Sequence, residues 1–67
     1  MKGTVKFFDD VKNYGFIEPD GDEKDHFVHR SNLKNVYTLE EGDRVEFESK
    51  LEEKGFQAFE VKKIEEE

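Results

Sequence analysis

The sequence predicts an all-β fold, and three observations carry that reading. Apolar and polar residues alternate in several short runs, the period of two that marks half-buried strands. Turn formers separate those runs, most clearly Pro19-Asp20-Gly21-Asp22 and Glu52-Glu53-Lys54-Gly55. Good helix formers do occur in Leu39–Leu51 and Val61–Glu67, but there the β-branched and aromatic residues alternate as in strands.

A first strand is expected over Gly3–Asp9, and Asp9–Asn13 turns the chain into a second at Tyr14–Glu18. The turn at 19–22 follows, because proline fixes φ and Gly21 tolerates a positive one. A third strand spans Asp25–Arg30, and Ser31-Asn32-Leu33 then forms a short helical turn with the Ser31 side chain satisfying a free backbone N–H. Lys34–Gly42 is a connection with two anchors, Tyr37 and Leu39. Asp43–Leu51 is the fourth strand, with Val45 and Phe47 on one side and Arg44, Glu46 and Glu48 on the other. The last strand is Phe56–Ile64, where Ala58 shares a face with Phe56. Val61 has the opposite parity, so this strand needs a bulge or a bend. Residues 65–67 are expected to fray.

Five such strands, with a core of Val5, Ile17, Val28, Val45, Phe47, Ala58 and Val61, predict one domain over residues 1–67. The natural architecture is a five-stranded antiparallel barrel of the OB type, whose strand-two and strand-three face is a common oligonucleotide platform. With 67 residues and no cysteine, neither a disulfide nor a thiol nucleophile supports or serves the fold. The start of the sequence has no apolar leader and no run could span a bilayer, so a soluble cytoplasmic protein that does not engage membranes is expected, as a monomer.

The ring residues point to a ligand. Tyr14 and Phe16 are two apart, as are Phe27 and His29, so on adjacent strands each pair faces one side while Gly15, Ile17 and Val28 face the other. A platform of flat rings suits unpaired bases, every one of which has a π-face. The net charge of −7 opposes a polyanion, but it is unevenly placed: residues 1–37 carry six basic against seven acidic residues, and residues 38–67 five against eleven. Screening confines phosphate attraction to roughly 8 Å at physiological salt, so an acidic half across the barrel weakens binding without forbidding it. A shallow salt dependence follows.

Four segments, Lys2–Phe8, Lys12–Ile17, Asp25–Ser31 and Leu39–Gly42, resemble the cold-shock domain family in order and spacing, and the likeness continues through Gly55, Gln57 and Ala58 to Val61. The resemblance implies an OB barrel that binds single-stranded RNA or DNA with low sequence preference, often pyrimidine-rich, and acts as an RNA chaperone. Carried over by position, it implies stacking on Phe7, Tyr14, Phe16, Phe27 and His29, a further ring from Tyr37, and basic contacts from Lys6, Lys12 and Lys54. Phe7 must then face outward, against strict alternation, which requires a bulge in the first strand.

The chain departs from the family's pattern in several places. Phe7 stands where tryptophan is usual, Asn13 where glycine is, Arg30 where an aromatic is, and His26 where valine is. Phe56, Phe59 and Glu60 replace smaller or uncharged residues. Arg30 exchanges a ring for a guanidinium that stacks on a base or meets a phosphate, which keeps it among the binding residues.

Other readings of the same residues are narrower. His26 faces the opposite side from His29 and is expected to be a satisfied histidine at the barrel end. Asp20, Asp22, Glu23 and Asp25 lack the spacing and terminal glutamate of a calcium loop, so no metal or other cofactor is expected. Ser31 and Ser49 lack a nucleophile elbow and so small a barrel has no deep pocket, which argues for a non-enzyme. The alternative function is a small acidic module docking to a protein or ribosomal surface.

Overall fold

A computed structural model of the protein describes residues 1–21 and 24–65. Five strands, β1 (Lys2–Asp9), β2 (Tyr14–Pro19), β3 (His26–His29), β4 (Arg44–Glu52) and β5 (Gly55–Lys63), close into a barrel in the order β1-β2-β3-β5-β4. A 3₁₀ turn over Arg30–Asn32 follows β3. The OB-type barrel is therefore present, with one difference from the expected antiparallel pairing: β3 and β5 run parallel, meeting at Phe27 and Gln57. That pairing is the seam that closes the sheet, and the connection from 33 to 43 carries the chain around to β4 before it returns.

Alternation dictates the interior. Val5, Ile17, Val28, Val45, Phe47, Ala58 and Val61 are all buried, joined by Leu39 from the connection. Tyr37 does not anchor that connection; at 84% exposure it stands in solvent. The inner face of β2 and β3 continues through Gly15 opposite Val28 and Ile17 opposite His26.

Two irregularities set which side chains face out. In β1 the register passes from Val5↔Ile17 to Phe7↔Phe16, so Lys6 is an extra residue and Phe7 leaves the inner face. In β5 the register against β4 shifts between Glu46↔Lys62 and Glu48↔Phe59, and Glu60 takes a φ of 51°. This is the bend that returns Val61 to the core after Ala58.

The turns follow their residue chemistry. Asp9 Oδ1 accepts from the backbone N–H of Val11 (3.0 Å) and Lys12 (3.1 Å), and Asn13 holds a φ of 63°, a conformation that asparagine tolerates. Gly21 has a φ of 72°; Asp22, the last residue of that expected turn, lies outside the described residues. So does Glu23 of the acidic run, and so do Glu66 and Glu67 of the expected frayed end. β3 ends at His29, one residue before expectation, because Arg30 opens the 3₁₀ turn. The cap there differs too: His29 Nδ1, rather than the Ser31 side chain, accepts the Ser31 backbone N–H at 3.1 Å. No helix among the described residues is long and apolar enough to cross a membrane.

Candidate functional site

Phe7, Tyr14, Phe16 and Phe27 share the outer face of β1, β2 and β3. The register makes this unavoidable, since Phe7 pairs with Phe16, Phe16 with Phe27, and Tyr14 with His29. Gly15, on the opposite side of β2, lets β1 come close: a Cβ there would collide with the Phe7 carbonyl oxygen and lie 2.8 Å from Phe8 Cα. The close approach of the two strands keeps the outer rings in contact.

The rings are not coplanar, as a flat platform would require. Phe7 meets Phe16 at 5.6 Å and 46°, and stands edge-on to Tyr14 at 6.0 Å. Phe16 is edge-on to both Tyr14 and Phe27, at 6.2 and 5.8 Å. Only Tyr14 and Phe27 lie nearly parallel, at 5.7 Å and 15°. The ring quadrupole favours edge-to-face contact over a face-to-face sandwich, so the cluster packs as a herringbone. It still presents part of each ring to solvent, with Phe7 at 41% exposure.

His29 pairs across from Tyr14 on the same face, but its Nδ1 is turned to the 3₁₀ turn, 3.0 Å from Ser31 Oγ. The Arg30 backbone N–H donates to Asn13 O at 2.9 Å and so ties the β1–β2 turn to the end of β3. A cleft beside the rings is lined by Asn13, His29, Arg30, Ser31, Val36 and Tyr37. Tyr37 stands at the rim of this cleft with its ring exposed.

The basic residues are less uniform. Lys6 pairs with Asp25 at 3.2 Å, both half-exposed. Lys12 is exposed in the β1–β2 turn. Lys54 lies exposed in the β4–β5 turn, and among the described residues no hydrogen bond, ion pair or ring contact joins it to the rings. Carboxylates concentrate elsewhere: Glu46, Glu48 and Glu60 are exposed on β4 and β5, the two strands that do not neighbour β2.

His26 is buried at 1% exposure, with Nδ1 3.0 Å from Lys24 O and Nε2 2.6 Å from Ser49 Oγ. Its ring stacks on Phe56 at 5.1 Å. Both nitrogens are satisfied, as the sequence suggested for a histidine at the barrel end.

These elements, in this order, carry a family match over nearly all of the described chain. Residues 1–64 match the model of the "Cold-shock" DNA-binding domain. The chain belongs to the cold-shock domain family. It is 48% identical over 64 residues to Cold shock-like protein CspA of Stigmatella aurantiaca, covering 92% of this chain and 94% of that one. It is also 48% identical over 67 residues to the Cold shock-like protein of Thermotoga maritima, covering 97% and 100%. Among solved structures, the Drosophila protein titled Unr CSD456 superposes with a TM-score of 0.77 at 22% identity. The match covers 96% of this chain and 26% of that one, so it speaks to the fold alone. As a cold-shock domain the chain is a nucleic-acid-binding module on a β-barrel.

One outward ring carries no expected role. Phe59 lies on the outer face of β5, with Lys50 Nζ 5.0 Å from its centroid. Its parity, opposite to that of Ala58, is the signal in the sequence that places it there.

Proposed function

We propose that this cold-shock domain, residues 1–67 acting as one unit, binds single-stranded RNA or DNA by laying unpaired bases on Phe7, Tyr14, Phe16 and Phe27. His29 and Tyr37 extend the stacking surface on either side of the cleft, and Arg30 offers a guanidinium to a base or phosphate there. Lys6, Lys12 and Lys54 meet the sugar–phosphate backbone. The observation that carries this reading is the Lys6 bulge, which brings a fourth ring, Phe7, out of the barrel onto the face of the other three. A large side chain turned outward by an irregular ladder loses burial that the core would reward. Binding a ligand supplies a reason for it.

The ring herringbone is sequence-tolerant, because it offers π-faces and edges rather than a fixed set of hydrogen-bond partners. Pyrimidine-rich strands suit it, since pyrimidines give up less self-stacking when they leave a single strand. The role is that of a monomeric cytoplasmic RNA chaperone without catalysis. Holding the unpaired state lowers its free energy and displaces weak base pairing by mass action.

The test is fluorescence anisotropy with a labelled oligothymidine at low and moderate salt. Saturable binding at micromolar protein or below is expected. With two or three phosphate contacts, the log–log salt slope should be shallow, roughly −1.4 to −2.1 for a single strand. No binding at high micromolar protein would refute the proposal and favour the acidic docking module.

A further inference from the structure

We infer that the nucleic-acid surface continues past β3 onto β5 as one further nucleotide subsite, formed by Phe59 and Lys50. The inference rests on the binding mode proposed above and adds a site to it. Its basis is the parallel seam that closes the barrel. Phe27 and Gln57 are partners across β3 and β5, and both face outward. Two residues further along each strand come His29 and Phe59, so Phe59 follows His29 on the same outer face. The row of outward side chains thus runs from Phe16 through Phe27 and Gln57 to Lys50, which pairs with Gln57 across β5 and β4.

Phe59 does little for the core. The buried cluster and the partly buried residues that pack on it (Phe8, Leu33 and Val36) do not include it. Its ring is instead half-buried on the outside of the barrel, with the Lys50 ammonium over it. Lys50 is exposed and unbranched, so it can leave the ring when a flat ligand arrives. A base stacked on Phe59 would leave its phosphate beside the displaced ammonium. A cation, a ring and continuity with the other rings together fit a nucleotide of the same bound strand. Glu48, which pairs with Phe59 on the same face, bounds the subsite on one side and disfavours phosphate there.

The alternative is that Lys50 and Phe59 only brace β4 against β5. The two roles separate by strand length. Binding of the full chain to labelled oligothymidines of increasing length would be compared with that of Phe59→Leu and Lys50→Gln, with thermal unfolding of each variant as the folding control. Phe59→Leu keeps an apolar side chain and removes the flat ring. It should leave short strands within about twofold of the parent and weaken the longest about fivefold, so that its affinity stops rising one nucleotide sooner. Lys50→Gln should make the salt slope shallower by about 0.7, on long strands only. If Phe59→Leu changes all lengths equally, or none, the subsite is overturned while the proposed function stands. If the parent protein binds no strand of any length, both fall together.

Discussion

Replacing Phe27 by alanine removes the centre of the ring cluster. Phe27 is the ring that Phe16 meets edge-on at 5.8 Å and that Tyr14 parallels at 5.7 Å. It is also the residue through which β3 pairs with both β2 and β5. Two aromatic contacts on a partly exposed face contribute about 1–2 kcal/mol of fold stability between them. The core is untouched, since the inward residue next door is Val28. The protein should therefore stay folded at 25 °C with a lower Tm. For binding, one lost base stack is worth about 2 kcal/mol, within a range of about 1–3, which is roughly thirty-fold in Kd. The assay is anisotropy with a heptathymidine, run beside Val28→Ala as a control. That variant should lose about 2 kcal/mol of stability and keep its affinity while folded. A folded Phe27→Ala protein that binds within twofold of the parent would refute the stacking argument.

Gly15→Ala should destabilise the barrel by about 3 kcal/mol in urea unfolding, because its Cβ would press on the backbone of Phe7 and Phe8; an unchanged midpoint would contradict that packing. Ser49→Ala leaves the buried His26 Nε2 without its 2.6 Å partner and should cost about 1–3 kcal/mol, with oligothymidine affinity unchanged. Acid unfolding reads a third contact. Asp20 accepts bidentate hydrogen bonds from Arg44 at 2.7 and 2.6 Å. Those bonds, helped by the charges of Arg44 and Lys2 and opposed by burial, hold its carboxyl below the ordinary aspartate pKa. A lowered folded-state pKa gives stability that is complete above the unfolded value, about 3.9, and is lost as pH falls through the folded one. The parent should thus exceed Asp20→Asn in Tm near neutrality, and the gap should close in strong acid. A gap that persists there would contradict the assignment. Glu60→Asn, at a φ of 51°, should raise stability by about 0.5–1 kcal/mol in the same urea assay.

Much of this fold was legible because parity is a strict rule. Val45 and Phe47, Gly15 and Ile17, and Tyr14 and Phe16 can only divide between two faces once they lie on strands. Val61, out of phase with Ala58, announced the β5 bend. Outward Phe7 was legible only through the family resemblance, since alternation alone places it beside Val5. What stayed hidden depends on three-dimensional closure. Nothing local in Phe27 or Gln57 indicates that their strands meet in parallel. The angles between rings depend on packing across three strands, which is why a coplanar platform became a herringbone. The cap at the 3₁₀ turn is not legible either, because serine is the commoner capping residue, whereas the fold brings His29 Nδ1 to the free Ser31 N–H. Tyr37 looked like an anchor because it is large and apolar, but the buried Leu39 two residues on fills that place.

Lys6 is the one residue between Gly3 and Asp9 that the ladder with the second strand does not use. Deleting that single residue would restore an even ladder between Val5 and the second strand. It would also leave Phe7 directly after the inward Val5, still outward and still opposite Phe16, so the ring cluster would keep its fourth ring and lose only the Lys6 ammonium. A more regular barrel and an outward Phe7 are therefore compatible, and what the extra residue adds to this edge of the surface is a positive charge. A variant shortened by that one residue should keep its stacking on oligothymidine and show a salt slope shallower by about 0.7, the share of one phosphate contact.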